Sequence, residues 1–447
     1  MERKLFLVFI SLLALTLLLT FALLNSEPPA FLDTPPEAPG EATLSSPPVV
    51  TVPGEPPEIV LSTPEPVFYP EGDPQHAAEQ LALTADTNAV AASRLFDANY
   101  YSDYTFPAGT VITLRAEEEI DSLYVLFGSY PGSWTLRTES GEQLCGQEGY
   151  LHEYVKLDTP AAEVQICLGD EAVLLRDVYA FTDGYLPGFV QTWQTIDTGA
   201  DILVFSTHYD DELLFLGGLI PYYSAVRGLR VQVVYMTSNY LSDFSNYRYR
   251  PHEALNGLWV CGDHFYPFTN EVKDFQCPSY WDAVYYYGEE QFVEFQTEMI
   301  RRFKPLVVVT HAEDGEYGHG AHILTALSVE EAVQAAADPA RFPDSAAEYG
   351  VWDTPKTYLH SYGDPDEITW INYELRAAEL GWRNPFQVAQ DAYRQHVTQQ
   401  QWEGFYVYGY GHPYDSHRFG LYRSLVGPDE AHNDLMEHVS REQFPAE

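Results

Sequence analysis

The sequence predicts two folded parts: a doubly wound, mostly parallel α/β sheet over residues 191–447, and a β-sandwich before it over residues 76–190. In the later part, short apolar runs alternate with segments of helical length, which is typical of a doubly wound sheet. In the earlier part, short strand-like runs follow one another without a helical period. Residues 26–75 are rich in proline and have a composition that cannot bury a core, so they are predicted to form a disordered tether.

The first 25 residues are predicted to form a signal anchor, which is a transmembrane helix. Arg3 and Lys4 precede twenty mostly apolar residues, 5–24, and such a stretch at ~1.5 Å per residue would span a bilayer core of ~30 Å. A cleaved secretory signal is the alternative, but its apolar region normally has only ~7–15 residues. The anchor predicts a membrane-bound protein whose folded part lies on the extracellular side, whereas cleavage would give a secreted protein.

Residues 76–190 contain short strand-like runs separated by glycine, proline and acidic turns: Val111–Leu114, Leu123–Phe127, Trp134–Arg137, Tyr154–Leu157, Val164–Leu168 and Val173–Tyr179. This spacing predicts the β-sandwich. The layout resembles the galactose-binding, discoidin-like domains that are often attached to extracellular hydrolases. A glycan-binding role and a spacer role both remain open for this part.

The cysteines fall as one pair in each folded part, and the chain has no Cys-x-x-Cys motif that would indicate a thiolate zinc site. Export would allow disulfides to form. The simplest pairing is Cys145–Cys167 and Cys261–Cys277, although four cysteines allow three pairings.

The α/β part is predicted from strand-like runs at 202–207, 231–236, 264–268 and 306–310, which alternate with helix-like segments near 213–226, 251–261, 289–303 and 321–337. This order is typical of a Rossmann-like sheet, in which helices cover both faces of parallel strands. The sequence does not reveal the strand order.

Residues that commonly bind metals follow two of these strands. His208 and Asp211 come directly after the strand at 202–207, and His322 follows the strand at 306–310. If the two strands are neighbours in a parallel sheet, their carboxyl ends open onto the same crevice. Three imidazole or carboxylate ligands plus a water are typical of a catalytic zinc site. We therefore predict that His208, Asp211 and His322 bind one Zn²⁺ ion.

The stretches 208–212 and 317–322 together resemble the PIG-L/LmbE-like family of zinc-dependent N-deacetylases. The first reads His-Tyr-Asp-Asp-Glu, where the family usually has His-Pro-Asp-Asp-Glu. The second ends in Gly-His-Gly-Ala-His, where the family often has Gly-His-Pro-Asp-His. Either motif alone would be a weak signal, but the ordered pair after two strands is specific.

The resemblance implies roles for the matching residues. His208, Asp211 and His322 match the metal ligands, and Asp210 matches the general base. Glu212, the last residue of the first motif, is predicted to be structural, because an acidic residue at a helix start is favourable without any catalytic role.

Three more residues are implied to act on the substrate. His319 matches the residue that stabilises the oxyanion and protonates the leaving amine, and Tyr317 matches a tyrosine that assists in some members. Arg250, in the sequence Arg-Pro-His-Glu, resembles the family's Arg-x-x-Glu and is predicted to contact the substrate. Ala321 stands where many relatives have the aspartate that orients His319, which weakens the assignment of His319 as an acid.

The activity implied is metal-dependent hydrolysis of a linear amide C–N bond, which would remove the N-acetyl group from an N-acetylglucosamine-containing glycan or glycoconjugate outside the cytoplasm. Two other functions remain open. Two histidines and one carboxylate also hold non-haem Fe(II) in oxygenases. Alternatively, the alanine at position 321 would suit a surface glycan-binding protein that is catalytically inactive.

The charge of the chain restricts its partners. Lysine and arginine total 23 against 66 aspartate and glutamate residues, giving a formal net charge of −43. Such a surface repels phosphate backbones, so a nucleic-acid partner is not predicted. The same charge favours neutral or cationic glycans over anionic ones.

Overall fold

The structure is a computed structural model, and it describes residues 76–238, 247–400 and 404–446. These residues belong to one compact unit that contains two sheets. The predicted anchor at 1–25 and the predicted tether at 26–75 lie outside the described residues and stay predictions. Within the three described ranges, no helix is both long and apolar enough to cross a membrane.

The first sheet has seven strands: β1 (Thr84–Asp86), β2 (Tyr104–Phe106), β3 (Val111–Phe127), β4 (Trp134–Thr138), β5 (Gly141–Cys145), β6 (His152–Cys167) and β7 (Val173–Phe181). One short helix, α1 (Ala89–Leu95), lies between β1 and β2 in the chain. All pairs are antiparallel, in the order β2-β7-β3-β6-β4-β5, with β1 on β3. The register of β3 against β6 shifts on both sides of Ile120, and such irregularities bend a strand. The long strands β3 and β6 therefore run through one curled sheet, where a sandwich would have two separate ones. The resemblance to galactose-binding domains stays a prediction.

The predicted disulfides are wrong, because all four cysteines are free thiols. Cys145 on β5 pairs with one side of β4, and Cys167 on β6 pairs with the other side. The two cysteines are therefore two strand spacings apart, about 9.6 Å at about 4.8 Å per spacing. A disulfide can bridge Cα atoms only up to about 7 Å apart. Cys261 and Cys277 belong to separate apolar cores on opposite faces of the second sheet.

The second sheet also has seven strands: β8 (Ile202–Ser206), β9 (Val231–Tyr235), β10 (Phe268–Thr269), β11 (Val307–Thr310), β12 (Lys356–His360), β13 (Thr369–Trp370) and β14 (Arg418–Ser424). Their order is β10-β9-β8-β11-β12-β14-β13. The strands from β10 to β12 are parallel, and β14 runs antiparallel between β12 and β13. The predicted α/β class is confirmed, but the sheet is mixed, and its antiparallel edge was not predicted.

The α-helices of this part are α2 (Asp211–Leu214), α3 (Arg250–Val260), α4 (Tyr280–Tyr287), α5 (Glu289–Phe303), α6 (Gly320–Ala335), α7 (Pro343–Tyr349) and α8 (Pro385–Tyr393). They cover both faces, because alternate residues of β8 enter different cores: Ile202 and Val204 enter one, and Leu203 and Phe205 enter the other. The helix predicted at 213–226 is divided into α2 and a π-helical turn, Pro221–Val226. Gly217 lies between them at φ 49°, and a Cβ there would lie 2.2 Å from the Ser416 hydroxyl oxygen.

Two features of this arrangement position the site. First, β8 and β11 are adjacent and parallel, so the loops that follow them meet at one edge of the sheet. Second, residues of the first part of the chain contact α3 through buried polar groups. The Tyr101 hydroxyl donates to Glu253 Oε1 at 2.7 Å, and His152 Nε2 lies 2.8 Å from His252 Nδ1.

Candidate active site

The loop after β8 carries the first motif in a constrained conformation. Asp210 has φ 138°, a backbone region that only glycine adopts readily. Two contacts hold it there. The Asp210 N–H donates to Glu212 Oε2 at 3.0 Å, and Arg250 Nη2 donates to Asp210 Oδ1 at 2.7 Å. Because Arg250 is the first residue of α3, that helix fixes the Asp210 carboxylate from the opposite wall.

The three predicted ligands lie together. Asp211 Oδ2 is 2.8 Å from His208 Nδ1 and 3.1 Å from His322 Nε2, and the two nitrogens are 3.2 Å apart. Ligand atoms around a tetrahedral zinc, with bonds of about 2.0–2.1 Å, would be about 3.3 Å from one another. The triangle of one oxygen and two nitrogens therefore has the size that a single ion requires.

The outer nitrogen of each predicted ligand histidine faces a carboxylate. Asp274 Oδ1 is 3.4 Å from His208 Nε2, and Glu316 Oε2 is 2.9 Å from His322 Nδ1. Metal-binding histidines in proteins typically present their second nitrogen to a carboxylate or carbonyl in this way. The residues present thus fit a divalent metal ion in both inner and outer contacts.

Glu316 is the buried centre of the second half of the site. Its two carboxylate oxygens lie 2.9–3.0 Å from ring nitrogens of His322, His311 and His360, and the Ala312 N–H donates to Oε1 at 3.0 Å. Burial alone would raise the pKa of Glu316, but His311 and the other histidines hold it well below its usual range. The sequence analysis did not select Glu316, His311 or His360 as site residues. The concentration of histidine and acidic residues at 311–322 hinted at Glu316 and His311, whereas His360, at the end of β12, had no such signal.

His311 and His319 each form an alternative close group with His322: one with Asp211, the other with His208. His311 is a poor ligand, because its Nε2 accepts a hydrogen bond from the Thr207 N–H at 3.0 Å and lies 3.8 Å from Asp211 Oδ2. His319 lines the pocket, and its buried Nδ1 has no hydrogen-bond partner among the described residues.

The charges of the site follow from burial and from these neighbours. Burial raises the pKa of Asp210 to about 7, against the opposing effect of Arg250. Burial would also raise the pKa of Asp211, but His322 and His208 keep it well below its usual range. Burial would lower the pKa of both ligand histidines, yet Asp211 raises that of His208 to about 10, with help from Asp274, and that of His322 to about 9.

Burial, together with the charges of His322 and His208, lowers the pKa of His319 to about 2. The imidazole of His319 is therefore neutral. Burial raises the pKa of Tyr317 above its usual range, so this phenol keeps its proton. Ala321 is fully buried beside them and offers no carboxylate to His319.

A cavity of about 280 Å³ opens in front of these groups, and six of the seven predicted site residues line it: His208, Asp210, Asp211, Arg250, Tyr317 and His319. His322, the seventh, is fully buried behind them. The cavity has further walls outside this predicted set, including Asp274, Phe275, Tyr393, Gln399 and Phe405. Fold and site together define the class: an α/β protein with a His/Asp/His cluster of metal-ligand type at the carboxyl edge of its parallel strands.

Part of the chain is similar in sequence to a known protein family. Residues 203–333 match the sequence model of the family described as PIG-L: GlcNAc-PI de-N-acetylase. The chain is 35% identical over 108 residues to the 1D-myo-inositol 2-acetamido-2-deoxy-alpha-D-glucopyranoside deacetylase of Geodermatophilus obscurus, covering 24% of this chain and 33% of that relative. It is 41% identical over 61 residues to the corresponding deacetylase 1 of Catenulispora acidiphila, covering 14% and 18%. The chain thus spans about a third or less of the curated relatives it matches, and the similarity to the family model is confined to residues 203–333.

Among solved structures, the chain is similar to the N,N'-diacetylchitobiose deacetylase of Pyrococcus horikoshii. The TM-score is 0.35 at 18% sequence identity, and the match covers 45% of this chain and 71% of the other.

Proposed function

We propose that this protein is a zinc-dependent N-deacetylase that hydrolyses the acetamide group of an N-acetylglucosamine-containing glycan or glycoconjugate. The observation that carries the proposal is the triangle of His208, Asp211 and His322, with a carboxylate behind each histidine. A zinc ion bound there would polarise the amide carbonyl and lower the pKa of the attacking water to about 7. The named relatives are deacetylases of an N-acetylated amino sugar, which supports the same substrate class here.

Asp210 acts as the general base in this proposal. Its carboxylate is next to a ligand, Asp211, but is held by Arg250 rather than by the ligand triangle. It therefore remains available to take the proton of the water that attacks the carbonyl carbon. Arg250 keeps the carboxylate in one orientation, so it positions the base and also lines the cavity where substrate binds.

His319 and Tyr317 are neutral donors that line the same cavity. In the proposed reaction they stabilise the oxyanion of the tetrahedral intermediate by hydrogen bonding. Because His319 Nδ1 has no carboxylate partner within the described residues, the proton that the departing amine needs comes from Asp210, which received it from the water. The products are acetate and a free amino sugar.

The proposal also includes the location of the enzyme on the extracellular side of a membrane. It rests on the sequence of residues 1–25, and protease accessibility of the folded part on intact cells tests it. Degradation only after the cells are opened would contradict this location.

Acetate release by the full-length chain tests the activity, with zinc and after treatment with a chelator. We expect release with zinc, loss after chelation, and at least a hundredfold loss in Asp210→Asn, since a general base contributes about 10²–10⁴-fold. Asp366→Asn, at an exposed position, is the matched control. Bound iron with oxygen consumption would favour the oxygenase alternative. Glycan binding without acetate release from any N-acetylated sugar would favour the inactive binding protein.

A further inference from the structure

Solvent-exposed aromatic side chains continue outward from the wall of the active-site cavity. Phe275 and Phe405 line the cavity itself. Outside it, Trp281 is 75% exposed and Tyr285 is 82% exposed. Soluble proteins rarely leave contiguous large aromatic groups exposed unless the surface binds something.

One aromatic surface, which we call the α4 platform, comprises Trp281, Tyr285 and Tyr286 of α4 together with Phe275, which precedes the helix. The Phe275 and Tyr286 rings are stacked at 4.5 Å and 9°, and Tyr285 contacts Tyr286 at 5.1 Å. Trp281 and Tyr285 are four residues apart, so they share one face of the helix. The platform thus extends from the cavity wall outward.

The position of α4 is fixed against the catalytic loop. Ser279 forms a capping box with Asp282 at the start of the helix. Gly320, the residue after His319, packs so closely on this start that a Cβ would lie 1.9 Å from the Ser279 carbonyl oxygen. The platform therefore begins directly beside the second motif.

A second aromatic surface continues the wall on another side, and we call it the Phe405 platform: Tyr317, Phe405 and Tyr406. The Phe405 and Tyr317 rings are 5.9 Å apart, and Tyr406 is 51% exposed. Tyr406 packs at 4.8 Å on Tyr408, which stacks on Phe215 behind the catalytic loop at 5.3 Å. This platform is therefore also anchored to the site.

The size of the cavity determines what the platforms can bind. At about 280 Å³, the cavity is slightly smaller than most small-molecule sites, which have roughly 300–1,000 Å³, so it leaves room for about one sugar unit. A longer substrate would have to continue over the rim, where the exposed rings are. The apolar C–H faces of pyranose rings stack on such surfaces, and the net charge of −43 disfavours a polyanion.

We propose that the substrate is a linear, uncharged oligosaccharide or polysaccharide of N-acetylated amino-sugar units. One unit enters the cavity, and its neighbours along the chain stack on the α4 platform and the Phe405 platform. The inference rests on the proposed deacetylase function and specifies its substrate class: a glycan chain and not a small monosaccharide conjugate.

The test compares β-1,4-linked N-acetylglucosamine oligomers from the disaccharide to the hexasaccharide as substrates of the full-length protein. We expect kcat/KM to rise with length. The Trp281→Ala and Tyr285→Ala variants alter exposed side chains and should fold normally. Each should lower kcat/KM for the hexasaccharide by about 2- to 10-fold, the range of one aromatic stacking contact, with little change for the disaccharide. Tyr185→Ala, at a tyrosine that is 54% exposed in the other part of the protein, is the matched control.

A kcat/KM that does not change with length, or a length dependence that both variants retain, would overturn the inference while leaving the deacetylase function intact. Calorimetric binding of the same oligomers to Asp210→Asn provides a readout that does not need turnover. Tighter binding of the hexasaccharide than of the disaccharide supports the inference even if no acetate is released. If Trp281→Ala instead converts a dimer into monomers with saccharide binding unchanged, the platform is a subunit interface and the inference is wrong.

Discussion

Replacement of Glu316 by glutamine tests the idea that a single buried carboxylate organises the metal-ligand half of the site. Its Oε2 atom faces the ring nitrogens of His311 and His322, and its Oε1 atom faces His360 and the Ala312 N–H. A glutamine side chain keeps one oxygen and replaces the other by an NH₂ group. Whichever way the amide is turned, one of the two pairs loses its acceptor.

The number of lost contacts gives the expected loss of stability. A buried donor without a partner costs about 1–3 kcal/mol, so two lost contacts should lower the free energy of unfolding by about 2–6 kcal/mol. If the pair with His322 is lost, the ligand also loses its orientation. The loss of such an outer contact typically lowers metal affinity about 10- to 100-fold.

Urea unfolding of the metal-free protein and zinc titration against a chromophoric chelator measure the two effects separately. Asp314→Asn, at an exposed residue of the same loop, is the control and should change neither quantity. The reasoning would be refuted by a Glu316→Gln protein with wild-type unfolding free energy and wild-type zinc affinity.

Three further substitutions test contacts away from the metal-ligand triangle. Tyr101→Phe removes a buried hydrogen bond to the Glu253 carboxylate and should lower the free energy of unfolding by about 1.5–3 kcal/mol; an unchanged urea midpoint would contradict this. Burial raises the pKa of Asp263 to about 8, above its unfolded value of about 3.9, so ionisation in the folded state is unfavourable and stability falls as pH rises from about 4 to about 8. Asp263→Asn should remove up to about 1.4 kcal/mol per pH unit of that fall, and a variant whose stability retains the wild-type pH slope between pH 5 and 7 would exclude this role. Asp429→Asn leaves the buried ammonium group of Lys356 without its carboxylate and should cost about 3–5 kcal/mol in urea unfolding; a cost below about 1 kcal/mol would show that the pair is not stabilising.

The three predicted metal ligands could be found from the sequence because they lie at chain positions that the fold brings together in a regular way. His208 and Asp211 follow β8, and His322 follows β11 by a short loop. Parallel neighbours align their carboxyl ends, so a motif after each strand was enough to predict one crevice. Asp274 had no such signal, because it lies on an irregular segment between β10 and α4, and its approach to His208 depends on tertiary packing.

The errors have a related cause. Cysteine pairing was predicted from proximity along the chain, but the strand order puts β4 between Cys145 and Cys167. The strand predicted at 264–268 is reduced to Phe268–Thr269, because Phe265 makes only an isolated bridge to Gln194. In both cases, the outcome depends on which strands become neighbours, and local residue patterns do not contain that information.

The contact between residues 76–190 and α3 bears on the role left open for the first part of the chain. Glu253 accepts a hydrogen bond from the hydroxyl of Tyr101, which lies in the turn between α1 and β2. It also accepts hydrogen bonds from the Thr398 N–H at 2.8 Å and the Thr398 hydroxyl at 2.6 Å. Thr398 precedes Gln399 in the cavity wall, and Glu253 lies one turn after Arg250, which holds Asp210. This hydrogen bond gives residues 76–190 a structural contact with the helix, whether or not they also bind a glycan. Loss of the Tyr101 hydrogen bond would act on Arg250 and Thr398 through the same helix residue, so we expect residues 76–190 to help position Asp210, the proposed general base.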